Sequence, residues 1–328
     1  MYRIWSERVI PAEYAPLFEG LAELIGPAKV ATADPDATLP EAHAVVAGGG
    51  QYNGPFMDRA PGLLVVSRRG VGYDNVDVPA ATARDIAVCI TPDAPTISTA
   101  EHALALIMAV AKRLKSAARE LHRESRGDLY QIHNGLELHQ SRLGLVGFGR
   151  IGRHVARVAL ALGMRVAAFD PHVSPDIVSA TGVEPVATLE ELLRQADVVS
   201  LHLPLSPETR HLIRAETLAQ MKPGAILINA SRGGLVDEAA LLPALESGHL
   251  AGAGLDVTDP EPPPLDNPLL HRDDVIITPH IGSATTAGKR RILGGAVLHA
   301  VQVLRGEQPA GLVNPEVWER VRRRLKQA

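Results

Sequence analysis

The stretch LGLVGFGRIG, residues 143–152, decides the fold class of this 328-residue chain. It places an apolar run before three glycines with the G-x-G-x-x-G spacing of a dinucleotide-binding turn. We interpret Gly147 as allowing the tight turn, Gly149 as letting the backbone approach a pyrophosphate, and Gly152 as letting the next helix pack close to the strand. The phosphates would then lie at a helix N-terminus, where N–H groups and the helix dipole favour anions.

An acidic residue follows this turn at a suitable distance. Asp170 ends the next apolar run, RVAAFD, and comes 18 positions after Gly152. Its carboxylate is predicted to accept hydrogen bonds from the adenosine ribose and to repel a 2′-phosphate. Pro171 and His172 supply no arginine that would hold such a phosphate. The sequence therefore predicts NAD rather than NADP.

Short runs rich in Val, Ile, Leu and Ala alternate with helical patterns along most of the chain. The runs predicted as buried strands are 42–47, 63–67, 86–90, 142–147, 165–170, 197–203, 225–230, 253–257 and 274–279. The segments predicted as helices are 99–124, 150–162, 189–195, 235–247 and 286–305. Apolar strands separated by helices are typical of parallel sheets that are covered on both faces. We predict one sheet before about residue 92 and a second that starts at Leu143.

Composition excludes several classes of protein. The length and the 46% hydrophobic content suffice for two packed cores, and the net charge of −4 gives no basic field for nucleic acid. The single cysteine, Cys89, excludes an internal disulfide framework. The N-terminus lacks the apolar core of a secretory signal, and the longest apolar-rich run, residues 103–111, is too short to cross a bilayer. We therefore expect a soluble, cytoplasmic protein with no metal site and no nucleic-acid or membrane partner.

Three chemically active side chains follow three predicted strands of the second sheet. Arg232 comes after the strand at 225–230, Glu261 lies in the proline-rich loop after 253–257, and His280 follows 274–279. Ligands of open parallel sheets bind beyond the carboxyl ends of the strands. We therefore expect a cation, a carboxylate and an imidazole beside the nicotinamide.

This set is suited to the reduction of a 2-keto acid. Histidine changes charge near neutral pH, so His280 can donate a proton to the new hydroxyl and act as a base in reverse. Glu261 would favour the imidazolium and orient the ring, and Arg232 would bind the substrate carboxylate and polarise its carbonyl. Taken singly, each residue also has a structural explanation. Arg232 could cap a helix or pair with Asp237 or Glu238, and Glu261 could be a solvated loop charge.

With these motifs assembled, the chain closely resembles the D-isomer-specific 2-hydroxyacid dehydrogenases. The matching stretches are 71–78, 98–109, 143–152, 201–213, 221–241, 251–262 and 277–285. The resemblance implies an α/β protein with two Rossmann-like or flavodoxin-like domains, each with a parallel sheet. It also implies that the nucleotide-binding domain is inserted into the substrate domain. Residues 1–98 and 286–328 would form the substrate-binding domain, and residues 99–285 the NAD-binding domain.

The family's catalytic residues fall on Arg232, Glu261 and His280, in agreement with the strand-end argument. The resemblance implies further cofactor contacts at Arg150, Ile151, Asp170, His202, Pro204, Ala230 and Asp256. It also implies that backbone N–H groups around Val71 and Gly72 bind the substrate carboxylate. Relatives are usually homodimers joined through the NAD-binding domain, and we expect the same here.

Several functions remain open at this point. The leading prediction is an NAD-dependent oxidoreductase that interconverts a small 2-keto acid and the D-2-hydroxy acid. A 3-phosphoglycerate dehydrogenase is the alternative within this class. The loop at 47–56 lacks the arginine with which phosphate-binding relatives hold their substrate, but Arg69 lies nearby in the sequence. A different class, an NAD(H)-sensing binding protein similar to the corepressors that resemble this family, is the further alternative.

Overall fold

The computed structural model describes residues 1–26, 36–122 and 127–327. The chain divides into two compact units. Unit 1 comprises Met1–Pro95 and Thr286–Ala328, and unit 2 comprises Thr96–Thr285. The chain of unit 2 is thus inserted between the two segments of unit 1. The assignment of the substrate to the first unit stays a prediction.

The described residues form strands that are all short, as is usual for parallel sheets. They are β1 (Tyr2–Ser6), β2 (Ala22–Leu24), β3 (Ala44–Ala47), β4 (Val65–Arg68), β5 (Ala87–Cys89), β6 (Arg142–Val146), β7 (Arg165–Phe169), β8 (Glu184–Pro185), β9 (Val198–Leu201), β10 (Ala225–Asn229), β11 (Leu250–Leu255) and β12 (Val275–Ile277).

The α-helices alternate with these strands. They are α1 (Gly54–Asp58), α2 (Val78–Ala83), α3 (Thr96–Ala111), α4 (Leu114–Glu120), α5 (Leu129–Ile132), α6 (Arg150–Ala161), α7 (Pro175–Ser179), α8 (Leu189–Gln195), α9 (Ala215–Leu218), α10 (Glu238–Glu246), α11 (Pro268–His271), α12 (Thr286–Leu304) and α13 (Trp318–Leu325). None of the helices in the described ranges is long and apolar enough to cross a membrane.

Unit 1 contains a sheet with the order β2-β1-β3-β4-β5, and its ladders are parallel. Successive side chains of a strand point to opposite faces, so both faces need a cover. Val46 packs with Val297 of α12 in one apolar cluster, whereas its neighbour Val45 packs with Met57 of α1 in the other. The return segment after residue 285 therefore completes the core of the first unit.

Unit 2 contains a sheet with the order β12-β11-β10-β9-β6-β7-β8, again with parallel ladders. Helices α3 and α6 contribute to the core on one face, and α8 and α10 contribute to the core on the other. The strand order reverses between β6 and β9, which is the point where such sheets bind ligands. The predicted fold class, α/β with two parallel sheets, is confirmed.

The prediction of one helix over 99–124, whose residues 123 and 124 lie outside the described ranges, is wrong in two respects. The helix α3 ends at Ala111, and Arg113 has a left-handed φ of 49° before α4 begins. Lys115 of α4 donates hydrogen bonds to the carbonyl oxygens of Arg272 and Val275, at 2.6 and 2.7 Å. The helical pattern is thus interrupted at Arg113, and α4 is hydrogen-bonded to the start of β12. The helix also begins earlier than predicted, at Thr96, so Ser98 and Thr99 are buried residues of its first turn.

Candidate active site at the carboxyl edge of unit 2

The glycine turn follows β6 and leads directly into α6. Gly147 has a φ of +98°, and a Cβ atom on it would lie 2.5 Å from the carbonyl oxygen of His202. A Cβ atom on Gly152 would lie 2.5 Å from the carbonyl oxygen of Gly147. By contrast, a Cβ atom on Gly149 would have nothing within 4 Å. Two glycines are therefore needed for close packing, while the third leaves open space at the start of the helix.

This open space is suited to a pyrophosphate. The ladder of α6 begins with the hydrogen bond from Arg153 N to Gly149 O, at 3.0 Å. The amides of a helix's first turn have no partner within the helix and point out of its end. Arg150 and Ile151 are the first two residues of α6 and therefore lie where an anion would bind.

Asp170 lies beside the same turn, immediately after β7. One carboxylate oxygen accepts a hydrogen bond from Phe148 N at 2.7 Å, and the other accepts one from His172 N at 2.9 Å. The carboxylate is thus held next to the middle of the glycine turn. Each oxygen can accept a further hydrogen bond, so the group fits the ribose of a dinucleotide.

His202 follows β9 directly. Since β9 lies between β6 and β10 in the sheet, His202 is placed between the glycine turn and the loop after β10. Its Nε2 atom is 2.9 Å from the Ser200 hydroxyl, and its backbone N–H donates to Val146 O at 2.8 Å. Burial lowers the pKa of His202 to about 4, so its imidazole is neutral at physiological pH. Two more predicted contact residues occupy the same edge: Pro204 is exposed in the loop after β9, and Ala230 is buried directly after β10.

Arg232 follows β10 in a loop that lies against the loop after β11. A Cβ atom on Gly233 would be 2.0 Å from the carbonyl oxygen of Thr258, so only glycine permits this approach. The Arg232 guanidinium donates to the carbonyl oxygen of Ser231 at 2.7 Å, and Asn229 donates to the carbonyl oxygen of Arg232 at 2.8 Å. These contacts fix the direction in which the arginine leaves the sheet.

Glu261 and His280 are in direct contact. The Nδ1 atom of His280 lies 2.7 Å from a carboxylate oxygen of Glu261, and both side chains are about two-fifths exposed, at 45% and 41%. A hydrogen bond at Nδ1 orients the ring and leaves Nε2 as the atom that can exchange a proton with a ligand. His280 has a left-handed φ of 51°, which a non-glycine residue keeps only when its surroundings hold it.

Asp256 supplies much of that support from a buried position. It is 1% exposed, and its carboxylate accepts hydrogen bonds from Ile281 N at 2.9 Å and Gly282 N at 2.7 Å. Its backbone oxygen accepts from His280 N at 2.8 Å. Burial alone would raise the pKa of Asp256, but hydrogen bonds from His102, Thr278 and the two amides outweigh burial and lower it. Asp256 is therefore a carboxylate that holds the backbone around His280, and its contact with the cofactor stays a prediction.

Two predicted residues lie in the other unit. Val71 and Gly72 come just after the carboxyl end of β4, in a turn that begins with Gly70 at a φ of +134°. Val71 is exposed. Their assignment to the substrate carboxylate stays a prediction. Within the described ranges, no group of three or more His, Cys, Asp and Glu side chains could hold a metal ion.

Two residues of this edge, His102 and Thr278, were not predicted from the sequence, although both contact the Asp256 carboxylate. His102 belongs to a helix that precedes the glycine turn, and only the packing of that helix brings it to this edge. The one sequence signal is that Glu101 and His102 are the only ionisable residues of this helix. His102 is only 19% exposed, and a largely buried polar side chain needs a partner.

The geometry is that of a dinucleotide-binding fold with a hydrogen-bonded histidine–glutamate pair at the carboxyl ends of its strands. Residues 104–282 match a model of the D-isomer specific 2-hydroxyacid dehydrogenase NAD binding domain, which covers more than half of the chain and lies within unit 2. The chain is 44% identical over 263 residues to a glyoxylate reductase of Korarchaeum cryptofilum, covering 79% of each protein.

One further relative is longer than this chain, and two others are solved structures. The chain is 42% identical over 272 residues to a D-3-phosphoglycerate dehydrogenase of Methanocaldococcus jannaschii, covering 82% of this chain and 51% of the relative. It therefore spans about half the length of that relative. The TT0316 protein of Thermus thermophilus aligns with a TM-score of 0.83 and 41% identity over 95% of this chain and 99% of the other. A D-lactate dehydrogenase of Aquifex aeolicus complexed with NAD and lactic acid aligns with a TM-score of 0.76 and 30% identity over 93% and 96%.

This chain belongs to the D-isomer specific 2-hydroxyacid dehydrogenase family. The cofactor of the matching family domain is NAD, and the open helix end at Gly149 and the carboxylate of Asp170 fit it.

Proposed function

We propose that this protein is an NAD-dependent oxidoreductase that interconverts a small 2-keto acid and the corresponding D-2-hydroxy acid. The observation that carries the proposal is the hydrogen bond between His280 Nδ1 and Glu261, at the carboxyl edge of the sheet that holds the glycine turn. Membership of the dehydrogenase family supports the same reaction.

Each residue has a defined task in this proposal. Bound NADH would supply the hydride to the keto carbon. His280 donates a proton from Nε2 to the former carbonyl oxygen, because its Nδ1 atom is occupied by Glu261. Glu261 holds the ring in one orientation and stabilises the positive charge that the imidazole carries before the transfer. Arg232 binds the substrate carboxylate with its planar donor groups.

The proposal is tested by following NADH absorbance with a panel of keto acids. The panel contains glyoxylate, hydroxypyruvate, pyruvate, a branched 2-keto acid and 3-phosphohydroxypyruvate. We expect turnover with at least one of them, and in reverse with the D- but not the L-hydroxy acid. Tight NADH binding without any turnover would contradict the proposal and favour an NAD(H)-sensing protein.

A 3-phosphoglycerate dehydrogenase is a second candidate because of one arginine in unit 1. Arg69 follows β4, and its Nε atom is buried with no hydrogen-bond partner among the described residues. Burial and then the neighbouring Arg8 cation lower the pKa of Arg69, while Glu7 and Tyr52 act in the opposite direction. A phosphate would supply a negative partner for this guanidinium, which favours a substrate with a second anionic group.

Replacement of Arg69 separates the two candidates. If a phosphate binds there, Arg69→Met should lower kcat/KM for 3-phosphohydroxypyruvate by about tenfold or more and leave hydroxypyruvate within about threefold. Arg59→Met is a suitable control, since Arg59 already pairs with Asp36 on the surface. Equal losses for both substrates would reject the phosphate site.

We also infer that the protein is a homodimer joined through unit 2. Several apolar side chains of the segment from α4 to α5 are exposed, among them Leu121 at 53%, Tyr130 at 87% and Ile132 at 60%. Exposed apolar side chains of this size are typical of an interface between proteins. Sedimentation should give a dimer for the wild type and a monomer for the double variant Tyr130→Glu, Ile132→Glu. A wild-type monomer would reject the inference.

A further inference from the structure

A chain of hydrogen bonds connects the middle of helix α3 to the loop that carries His280. His102 is 19% exposed, and its Nε2 atom lies 2.9 Å from the Thr278 hydroxyl and 3.2 Å from a carboxylate oxygen of Asp256. Thr278 in turn donates its hydroxyl hydrogen to the same oxygen at 2.6 Å. Since Thr278 donates to Asp256, its oxygen accepts from His102, and the imidazole carries its hydrogen on Nε2.

The next bonds of this chain lie in the backbone beside the proposed acid. The Asp256 carboxylate that accepts from His102 and Thr278 also accepts from the amides of Ile281 and Gly282. These amides follow His280 directly, and His280 has the left-handed backbone described above. The His102 imidazole on α3 and the backbone amide of Ile281 therefore contact the same carboxylate oxygen of Asp256.

A second contact fixes the other end of the same loop to α3. The hydroxyls of Ser98 and Thr285 are 2.7 Å apart, so the loop from 278 to 285 is held at both ends by the first half of the helix. Gly282 lies between these points, and a Cβ atom on it would be 2.9 Å from Asp256 Oδ2 and 3.6 Å from the His102 ring. The loop is therefore closely packed against the helix.

We propose that His102 is a positioning residue for the proposed reaction. Its Nε2 hydrogen bonds to Thr278 and Asp256 hold the loop at 278–282 in the backbone conformation that presents the His280 ring. His102 does not need to touch a ligand for this role. The proposal rests on the proposed function, because the orientation of His280 affects a rate only if His280 transfers the proton.

The test compares two substitutions that differ in one donor. His102→Gln keeps an N–H group near the position of Nε2, whereas His102→Phe keeps a flat ring without the donor. We expect His102→Phe to lower kcat about tenfold or more while KM and the Kd of NADH change less than about threefold. His102→Gln should retain kcat within about threefold of the wild type.

His249→Phe is the matched control. The Nε2 atom of His249 is 3.0 Å from Leu218 O, and His249 precedes β11 at the opposite edge of the same sheet. This variant should lose stability without losing kcat. If His102→Phe reduces kcat no more than His249→Phe, or if His102→Gln is as impaired as His102→Phe, the positioning role is rejected.

A second measurement tests the role of His102 without any substrate. Hydrogen–deuterium exchange of peptides spanning 278–285 should be faster in His102→Phe than in the wild type and His102→Gln. Unchanged exchange in His102→Phe would reject the role even if activity fell. If the wild type shows no turnover, the proposed function fails, and the exchange data alone decide whether His102 holds the loop.

Discussion

The two halves of the carboxyl edge in unit 2 are built in different ways. On the β6–β7 side, the site consists of backbone and one carboxylate, Asp170. Gly147, Gly149 and Gly152 lie within six residues, and Gly147 and Gly152 pack at distances that exclude side chains. On the β10–β12 side, it consists of side chains, and Glu261 and His280 are 19 positions apart in the chain. We expect the first half to bind the cofactor mainly through the main chain and the second half to act through side chains that must be oriented.

Because of this difference, substitutions on the two sides are expected to have different effects. A change at Gly147 or Gly152 is expected to alter packing and cofactor binding together, since the nearest atoms that a new side chain would meet belong to the backbone. A change on the other side is expected to alter the rate while leaving the cofactor bound. Substitutions on the two sides of the site therefore test this difference.

The largest effect is expected for His280→Ala. General acid–base catalysis contributes about 100- to 10,000-fold to a rate, so kcat should fall by that factor while the Kd of NADH stays within about twofold. Glu261→Gln should lower kcat less, because the His280 ring is still present and the glutamine can still form a hydrogen bond to it. Steady-state kinetics and NADH fluorescence titration measure the two quantities. A His280→Ala enzyme within about tenfold of wild type would remove His280 from the proposed role.

The glycine turn offers a matched pair of substitutions. Gly152 lies inside α6, where alanine is favoured over glycine by about 1 kcal/mol, yet its Cβ would lie 2.5 Å from Gly147 O. Gly152→Ala should therefore lower both the melting temperature and the affinity for NADH. Gly149→Ala should keep the melting temperature and lower only the affinity, because its Cβ enters the open space proposed for the pyrophosphate. Equal melting temperatures for both variants would contradict the packing argument.

Asp170 tests cofactor choice on the backbone side. Removal of its charge in Asp170→Asn should raise the ratio of kcat/KM for NADPH to that for NADH by about tenfold, since the repulsion of a 2′-phosphate is lost. The asparagine oxygen can still accept from Phe148 N, so the turn should keep its shape. A wild type that already prefers NADPH would contradict this role of the carboxylate.

The smallest effect concerns pH and His202. Because burial lowers the pKa of this imidazole to about 4, the unfolded chain binds its proton more readily than the folded one. The contribution of the neutral His202 imidazole to the free energy of unfolding is therefore fully present above the ordinary histidine pKa. It is lost as the pH falls from about 6.5 toward 4. We expect a loss of about 1 kcal/mol between pH 7 and pH 5, reduced by the partial exposure of the residue. Urea unfolding at both pH values should show less loss in His202→Asn, and equal losses would contradict the assignment.

The apolar patterns predicted most of the sheet but not all of it. The strand β1 was not among the predicted strands, because YRIWS mixes charged, aromatic and polar residues. The strand β11 begins three residues earlier than predicted, within the run LAGAGL. A Cβ atom on Gly254 would lie 3.0 Å from Leu106 of α3, so small residues here serve helix packing rather than hydrophobic burial. Hydrophobic patterning has no means of detecting that requirement.

The chain's own order of residues determined the dinucleotide turn, the acidic residue after β7 and the family, because these depend on short-range spacing and on backbone conformations that only glycine adopts easily. The sequence also predicted that Glu261 and His280 each follow a strand of the second sheet, so the two side chains were expected to lie close together. Only the tertiary structure decided that Nδ1 of His280 contacts Glu261 and that the buried Asp256 and His102 hold the loop around His280. The physical reason is that these bonds join residues up to 176 positions apart, and only the packing of α3 across the sheet brings them within hydrogen-bonding distance.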